Sequence, residues 1–238
     1  TYLSHQSCKV VECISSHSKV ICYGCFDFYF KTFTLVSMRY TIDINADVGE
    51  GMGNEAELMP YLSSCNIACG GHAGTSKSMQ SVVQLAKKYG VKIGAHPSYP
   101  DVKNFGRERM DMSCMALFVS LEKQIDSLRD ILDNEQISLH HVKLHGALYN
   151  LAAIEEKVAL VIVEVMKRSM LPVKLYVPYK SVIADMAIQN NIPIVYEVFA
   201  DRNYNDDLTL VSRGHKEALI HDADIVFEHV FRMIAEHK

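Results

Sequence analysis

The segment HVKLHGALYN, His141 to Asn150, sets groups able to carry positive charge at alternate positions. In an extended chain His141, Lys143 and His145 share one face, and Val142 and Leu144 share the other. A lysine on an inward strand face must meet a carboxylate or give up its charge, so Lys143 marks either a buried ion pair or a site of chemistry. Acids able to meet it stand in DINADVGEG: Asp43 and Asp47 alternate with the amide Asn45 along one face, and the acid Glu50 follows between two glycines. Such carboxylates suit a general base, a metal ligand or the anchor of a cation. Asp47 and Glu50 would also suit the capping of the turn at Gly49 and Gly51. Asp43 lies deeper in the strand, where an unpaired charge would be too costly to keep. His72, His96 and His145 form a further group, suited to a zinc site or an acid–base relay. Their spacing is not that of a helical metalloprotease motif. The candidate metal ligands are His72, His96 and Asp47.

These side chains must be positioned by short apolar runs that alternate with longer helical patterns. The strand-like runs are RYTIDINAD, CNIAC, VKIGAHP, HHVKLHG, VKLYVP and IPIVYEVFAD. Between them SMQSVVQLAKKYG, SCMALFVSLEKQIDSLRDILD, IEEKVALVIVEVMKRS and YKSVIADMAIQNN carry apolar residues at helical spacing, and Gly90 reads as a helix C-cap. This βαβα order predicts a parallel sheet with helical crossovers, a fold whose chemistry gathers at the carboxyl ends of the strands. The unusual polar residues fall at those ends: Asp47, Asn66, His72, His96, Lys143, His145, Glu197 and Asp201. Glycines at Gly70, Gly71, Gly94 and Gly146 allow close backbone approach there. The segment FGRERM, with Arg202 and Arg213, supplies candidate clamps for a carboxylate or phosphate. No GxxxxGK[ST] phosphate loop occurs.

A chain of 238 residues with 49% hydrophobic and 22% charged residues is of a size and composition suited to one globular barrel. Its formal net charge of -4 gives no electrostatic reason to expect nucleic acid. The most apolar N-terminal run is interrupted by Asp27 and Lys31, which argues against a membrane span, and no signal-peptide pattern occurs. Seven cysteines are an odd number, and Cys65, Cys69 and Cys114 suit reduced thiols in the cytoplasm. Residues 1–37 differ in texture and are expected to be an atypical extension, disordered or not native. Within them Cys22 and Cys25 have the gap of a zinc knuckle, and His5 and His17 are further candidate ligands, but Cys8 and Cys13 supply no matching second knuckle. Residues 38–238 are expected to form a single domain.

Taken together, DINADVGEG, NIACGGHAG, IGAHPSYPD, FGRERM, HVKLHGALYN, EVFADRNY and LVSR resemble, in order, the motifs of the LamB/YcsF family of 5-oxoprolinase A subunits. The resemblance runs from Met38 to about Asp222. It implies an α/β fold, a TIM-like (β/α) barrel of the glycoside hydrolase/deacetylase type, seven-stranded and truncated before its last strand. It implies a role, with partner subunits B and C, in the ATP-dependent opening of 5-oxo-L-proline to L-glutamate. ATP with Mg2+ would belong to the complex. The motif positions carry over onto Asp47, Glu50, Lys143 and His145 as catalytic residues, and onto Asn45, His72, His96, Glu197, Asp201 and Arg202 as substrate-binding residues. Thr75 stands where the family usually has Asp, and Leu144 where it usually has Pro. Two other readings stay open: a stand-alone metal-dependent carbohydrate or amide hydrolase, and a non-catalytic substrate-binding component. Self-association of the chain is open as well.

Overall fold

The computed structural model describes residues 8–11, 42–168 and 172–236. Six strands run parallel and in sequence order: β2 (Asp43–Val48), β3 (Ser64–Ala68), β4 (Lys92–His96), β5 (His141–Lys143), β6 (Lys174–Pro178) and β7 (Ile194–Phe199). A short strand, β1 (Cys8–Val11), pairs antiparallel with both β2 and β7, so the described strands close into a barrel. Apart from β1, the expectations for residues 1–37, including the zinc knuckle, lie outside the described residues.

Around the sheet pack α2 (Ser76–Tyr89), α3 (Cys114–Asn134), α5 (Glu156–Lys167) and α6 (Val182–Gln189), in the four segments with helical periodicity. Helix α2 buries Met79, Val82, Val83 and Ala86 on one face, the stripe expected of a helix laid on a sheet. Thr75 opens it by a reciprocal capping box with Ser78, and Gly90 closes it at φ 69°. The Thr75 side chain is thus occupied at a helix start on the surface. Three further helices lie outside the four segments read as helical: the short α1 (Glu55–Leu58), α4 (Gly146–Ala152) immediately after β5, and α7 (Ala223–Glu236).

Alternation along the strands divides their side chains between two environments. Ala46, Val48, Cys65, Ile67, Ile93, Ala95, Val142, Leu175 and Val177 join the apolar core between sheet and helices. Asn45, Ser64, Asn66, His96, His141, Lys143 and Glu197 are buried on the other side, inside the barrel. The lumen is therefore polar, and each buried group requires a partner there. Cys65 and Cys69 are unbridged and buried, and burial pushes both thiols up to about 12, so they behave as small apolar residues.

Space in this lumen is created at Gly94, because a Cβ there would run into the His141 ring. Gly94→Ala is expected to lower stability by about 1–3 kcal/mol through this overpacking, read as a lower midpoint in urea unfolding.

Candidate functional site

Lys143 ends β5 fully buried, and its Nζ lies 2.9 Å from Asp47 Oδ1 and 3.4 Å from Glu197 Oε2. It also donates to Asn45 Oδ1 at 3.3 Å and sits 5.6 Å above the Phe199 ring. A buried ammonium is kept charged only by such partners, and the acids expected to meet it come from β2 and β7.

A directed chain of hydrogen bonds supports this ion cluster from below. Asn66 Nδ2 donates to Asn45 Oδ1 at 2.6 Å and to Asp47 Oδ1 at 2.9 Å. Its Oδ1 therefore faces His141 Nε2, which donates to it at 2.6 Å. Asn45 Nδ2 passes the chain on to Glu197 Oε2 at 3.4 Å. His141 is stacked on Tyr176 with ring centroids 4.0 Å apart, and its Nδ1 faces His140 Nδ1 at 3.0 Å. His141 is thus a positioning residue that fixes the Asn66 amide.

Burial holds both of these histidines neutral: His141 titrates well below 6.5 and His140 is lowered to about 4, helped by the neighbouring Lys174 charge. A base with a depressed folded pKa contributes stability above its unfolded pKa and loses it as pH falls through the folded value. Unfolding is therefore expected to take up protons below pH 6.5. For the fully buried His141 the stability falls by up to about 1.4 kcal/mol per pH unit. His140, half open to water, contributes less. Urea midpoints measured from pH 7 to pH 4 check the slope.

The second half of the site is an imidazole cluster. His72 and His145 stack with centroids 3.6 Å apart, and His96 stands edge-on to both. Glu50 Oε1 reaches His72 Nε2 at 2.9 Å, His145 Nδ1 at 3.3 Å and His96 Nε2 at 3.9 Å. His96 Nε2 also faces His145 Nδ1 at 2.9 Å. Burial lowers the His72 pKa, opposed by the Glu50 carboxylate. One ligand atom each from Glu50, His72, His96 and His145 lies within 4.8 Å of the others, so these four could hold a metal ion. This group takes in the metal candidates His72 and His96 together with Glu50 and His145; Asp47 is not among its four members. Asp47 instead joins the halves, with Oδ1 on Lys143 and Oδ2 3.3 Å from His96 Nε2.

Both halves face one cavity of about 1700 Å³, whose lining includes Asp47, Glu50, His145 and Glu197. Arg107 and Arg213 line it too, and burial and the Arg107 charge lower the Arg213 pKa. Arg202 also borders the cavity, but its guanidinium donates to the carbonyls of Ala218 at 3.0 Å and Val211 at 2.6 Å, holding the 202–219 loop. The buried Oδ1 of Asp201 has no hydrogen-bond partner among the described residues. Arg109 of FGRERM is spent on Glu155 at the surface.

Ser98 and the Phe105 carbonyl are missing from the expected site residues, and Asn66 stands among the polar strand-end residues without an expected role. Asn66 has a visible signal, a polar residue in the otherwise apolar NIA strand. Ser98 accepts from His72 and Phe105 O from His145, at 3.0 Å each. Neither contact has a sequence signature.

Comparison with known proteins agrees with this architecture. The LamB/YcsF family model matches residues 42–238. The 5-oxoprolinase A subunit of Haemophilus influenzae (strain PittEE) is 42% identical over 195 residues, covering 82% of this chain and 80% of the relative. Its counterpart from Campylobacter jejuni subsp. doylei is 40% identical over 204 residues, covering 84% and 80%. The crystal structure of a lactam utilization protein from Thermus thermophilus superimposes with a TM-score of 0.77 at 35% identity, covering 82% of this chain and 81% of that one. With a six-stranded parallel TIM-like sheet, a family match over nearly all of the described barrel and relatives at this identity, the chain belongs to the LamB/YcsF family.

Proposed function

We propose that the chain is the A component of an ATP-dependent 5-oxoprolinase that opens 5-oxo-L-proline to L-glutamate with partner subunits B and C. The observation that carries this reading is the buried Lys143–Asp47 pair, at 2.9 Å, whose Asp47 lines the cavity, in a chain whose relatives are 5-oxoprolinase A subunits. A five-membered lactam is a resonance-stabilised amide. Opening it needs activation of its carbonyl oxygen, supplied here by phosphoryl transfer from MgATP at the level of the complex. Water then adds to the lactam carbon and the C–N bond breaks, with a proton delivered to the departing nitrogen. A second water releases phosphate.

Asp47 and Glu50 face the cavity from β2 and from the turn after it, and we assign them to base chemistry on the attacking water. Lys143 stabilises charge developing at the carbonyl, Asp47 passes the proton it takes from water to the departing nitrogen, and His145 holds Glu50 beside it. Asn45 and Glu197 hold Lys143, while His72 and His96 shape the wall beside the lactam. The substrate carboxylate is assigned to Arg107 and Arg213, whose cationic surroundings favour an anion, in place of Arg202. Asp201 stays a candidate contact for the substrate nitrogen. Reaction in the cytoplasm is supported by the unbridged thiols Cys65 and Cys69. Among the described residues no helix is long and apolar enough to cross a membrane.

The test is to follow 5-oxoproline loss and ADP formation with and without the partner subunits. Both are expected only when partners and ATP are present. Lactam consumption by the isolated chain without ATP would overturn the proposal and favour the stand-alone hydrolase suggested by the imidazole cluster.

A further inference from the structure

The imidazole cluster contains a conflict that hydrogen-bond bookkeeping exposes. His96 Nδ1 lies 2.8 Å from the carbonyl oxygen of Lys143, and His145 Nε2 lies 3.0 Å from that of Phe105. A carbonyl only accepts, so these two nitrogens carry the ring hydrogens. The Ser98 hydroxyl donates to the Tyr99 carbonyl at 2.8 Å, so its oxygen accepts from His72 Nδ1. The remaining nitrogens, His72 Nε2, His96 Nε2 and His145 Nδ1, then present lone pairs toward Glu50 Oε1, and His96 Nε2 also faces Asp47 Oδ2 at 3.3 Å, a further acceptor. His96 Nε2 and His145 Nδ1 face one another at 2.9 Å, and His72 Nε2 faces the carboxylate at 2.9 Å. Acceptors packed this closely in a buried site repel unless a cation lies among them.

We propose that His72, His96, His145 and Glu50 bind one divalent transition-metal ion of the zinc class. Metal–nitrogen and metal–oxygen bonds of about 2.0–2.2 Å in a tetrahedral site place ligand atoms roughly 3.3–3.6 Å apart. The observed separations of 2.9, 2.9, 3.3 and 3.9 Å bracket that range. Each histidine has its outer nitrogen bonded to an oxygen acceptor, the arrangement that fixes tautomer and ring orientation for ligation. Imidazole-rich donors with one carboxylate select a zinc-class ion over Mg2+ or Ca2+, which prefer oxygen ligands. The site adjoins the Lys143–Asp47 pair, yet its occupancy requires neither lactam nor ATP.

The experiment is a titration of the chelator-stripped full chain with Zn2+ and with Co2+, read by elemental analysis after gel filtration, by Co2+ visible spectra and by thermal unfolding. One equivalent bound, with intense tetrahedral Co2+ bands and a raised Tm, is expected. His145→Asn and His72→Asn should each abolish the bands while far-ultraviolet circular dichroism reports the fold. Ser98→Ala, a milder change that leaves all four ligands in place, should weaken Zn2+ binding about 10- to 100-fold. Failure of the folded wild-type chain to retain Zn2+ or Co2+ overturns the proposal and leaves a proton as the occupant. Retention by a folded chain with both histidines replaced overturns it too. Either failure leaves the lactam reading standing, because 5-oxoproline turnover is scored separately.

Discussion

Replacement of Lys143 by Met is expected to lower 5-oxoproline turnover by the reconstituted complex by about 10²–10³-fold and to destabilise the chain by about 3–5 kcal/mol. The two losses have separate origins. Turnover falls because the positive charge proposed to meet the developing oxyanion is gone. Stability falls because Asp47 and Glu197 lose a cation at 2.9 Å and 3.4 Å in a closed polar lumen, and a buried charge without its partner is the most expensive kind of orphan. A double variant separates them. Lys143→Met with Glu197→Gln removes one surplus carboxylate, so urea unfolding should recover part of the stability while turnover stays low. If Lys143→Ala and Asp47→Ala both leave turnover unchanged, the chain serves only to bind substrate, and the chemistry lies with its partners.

Asp47→Asn should behave differently, with turnover reduced by about 10²–10⁴-fold and the fold retained. Asparagine keeps an oxygen for Lys143 and Asn66, and its amide can donate to His96 Nε2, which a carboxylate oxygen now faces at 3.3 Å. Lys143 keeps Glu197 as its counter-charge. Only the ability to take up a proton disappears. Steady-state kinetics beside a urea melt decide the case. A kcat near that of the unaltered complex would remove Asp47 from base chemistry and leave Glu50 as the cavity-facing alternative.

The barrel was legible because its parts use the strongest local signals. VKIGAHP and VKLYVP are short apolar runs, while SMQSVVQLAKKYG repeats at 3.6 residues and stops at Gly90. Helix α4 was not legible, since GALYNLA is short and begins with glycine. Alternation carried HVKLHG further as a strand than it runs: β5 ends at Lys143, and His145 instead stands at the N-cap position of α4, its side chain turned to the imidazole cluster. Lys143 and its acids could be read because a charge in a strand demands an explanation. The division of His72, His96, His145, Asp47 and Glu50 between an ion pair and an imidazole cluster could not, because it depends on distances across the barrel. The carbonyls of Phe105 and Lys143, which set the tautomers, are invisible in any sequence.

Gly106 and Gly146 lie so close that a Cβ on Gly146 would strike the Gly106 backbone. The FGRERM loop is thereby pinned to the start of α4, and its Phe105 carbonyl is held on His145. The cavity wall rests on strands and on this pinned turn, whereas Arg213 and Tyr179, which also line it, stand outside the regular strands and helices. Machinery and substrate choice are therefore physically separable, a layout that favours evolvability. Substitutions at Arg213 and Tyr179 are expected to change which cyclic amide is accepted while the reacting groups keep their geometry.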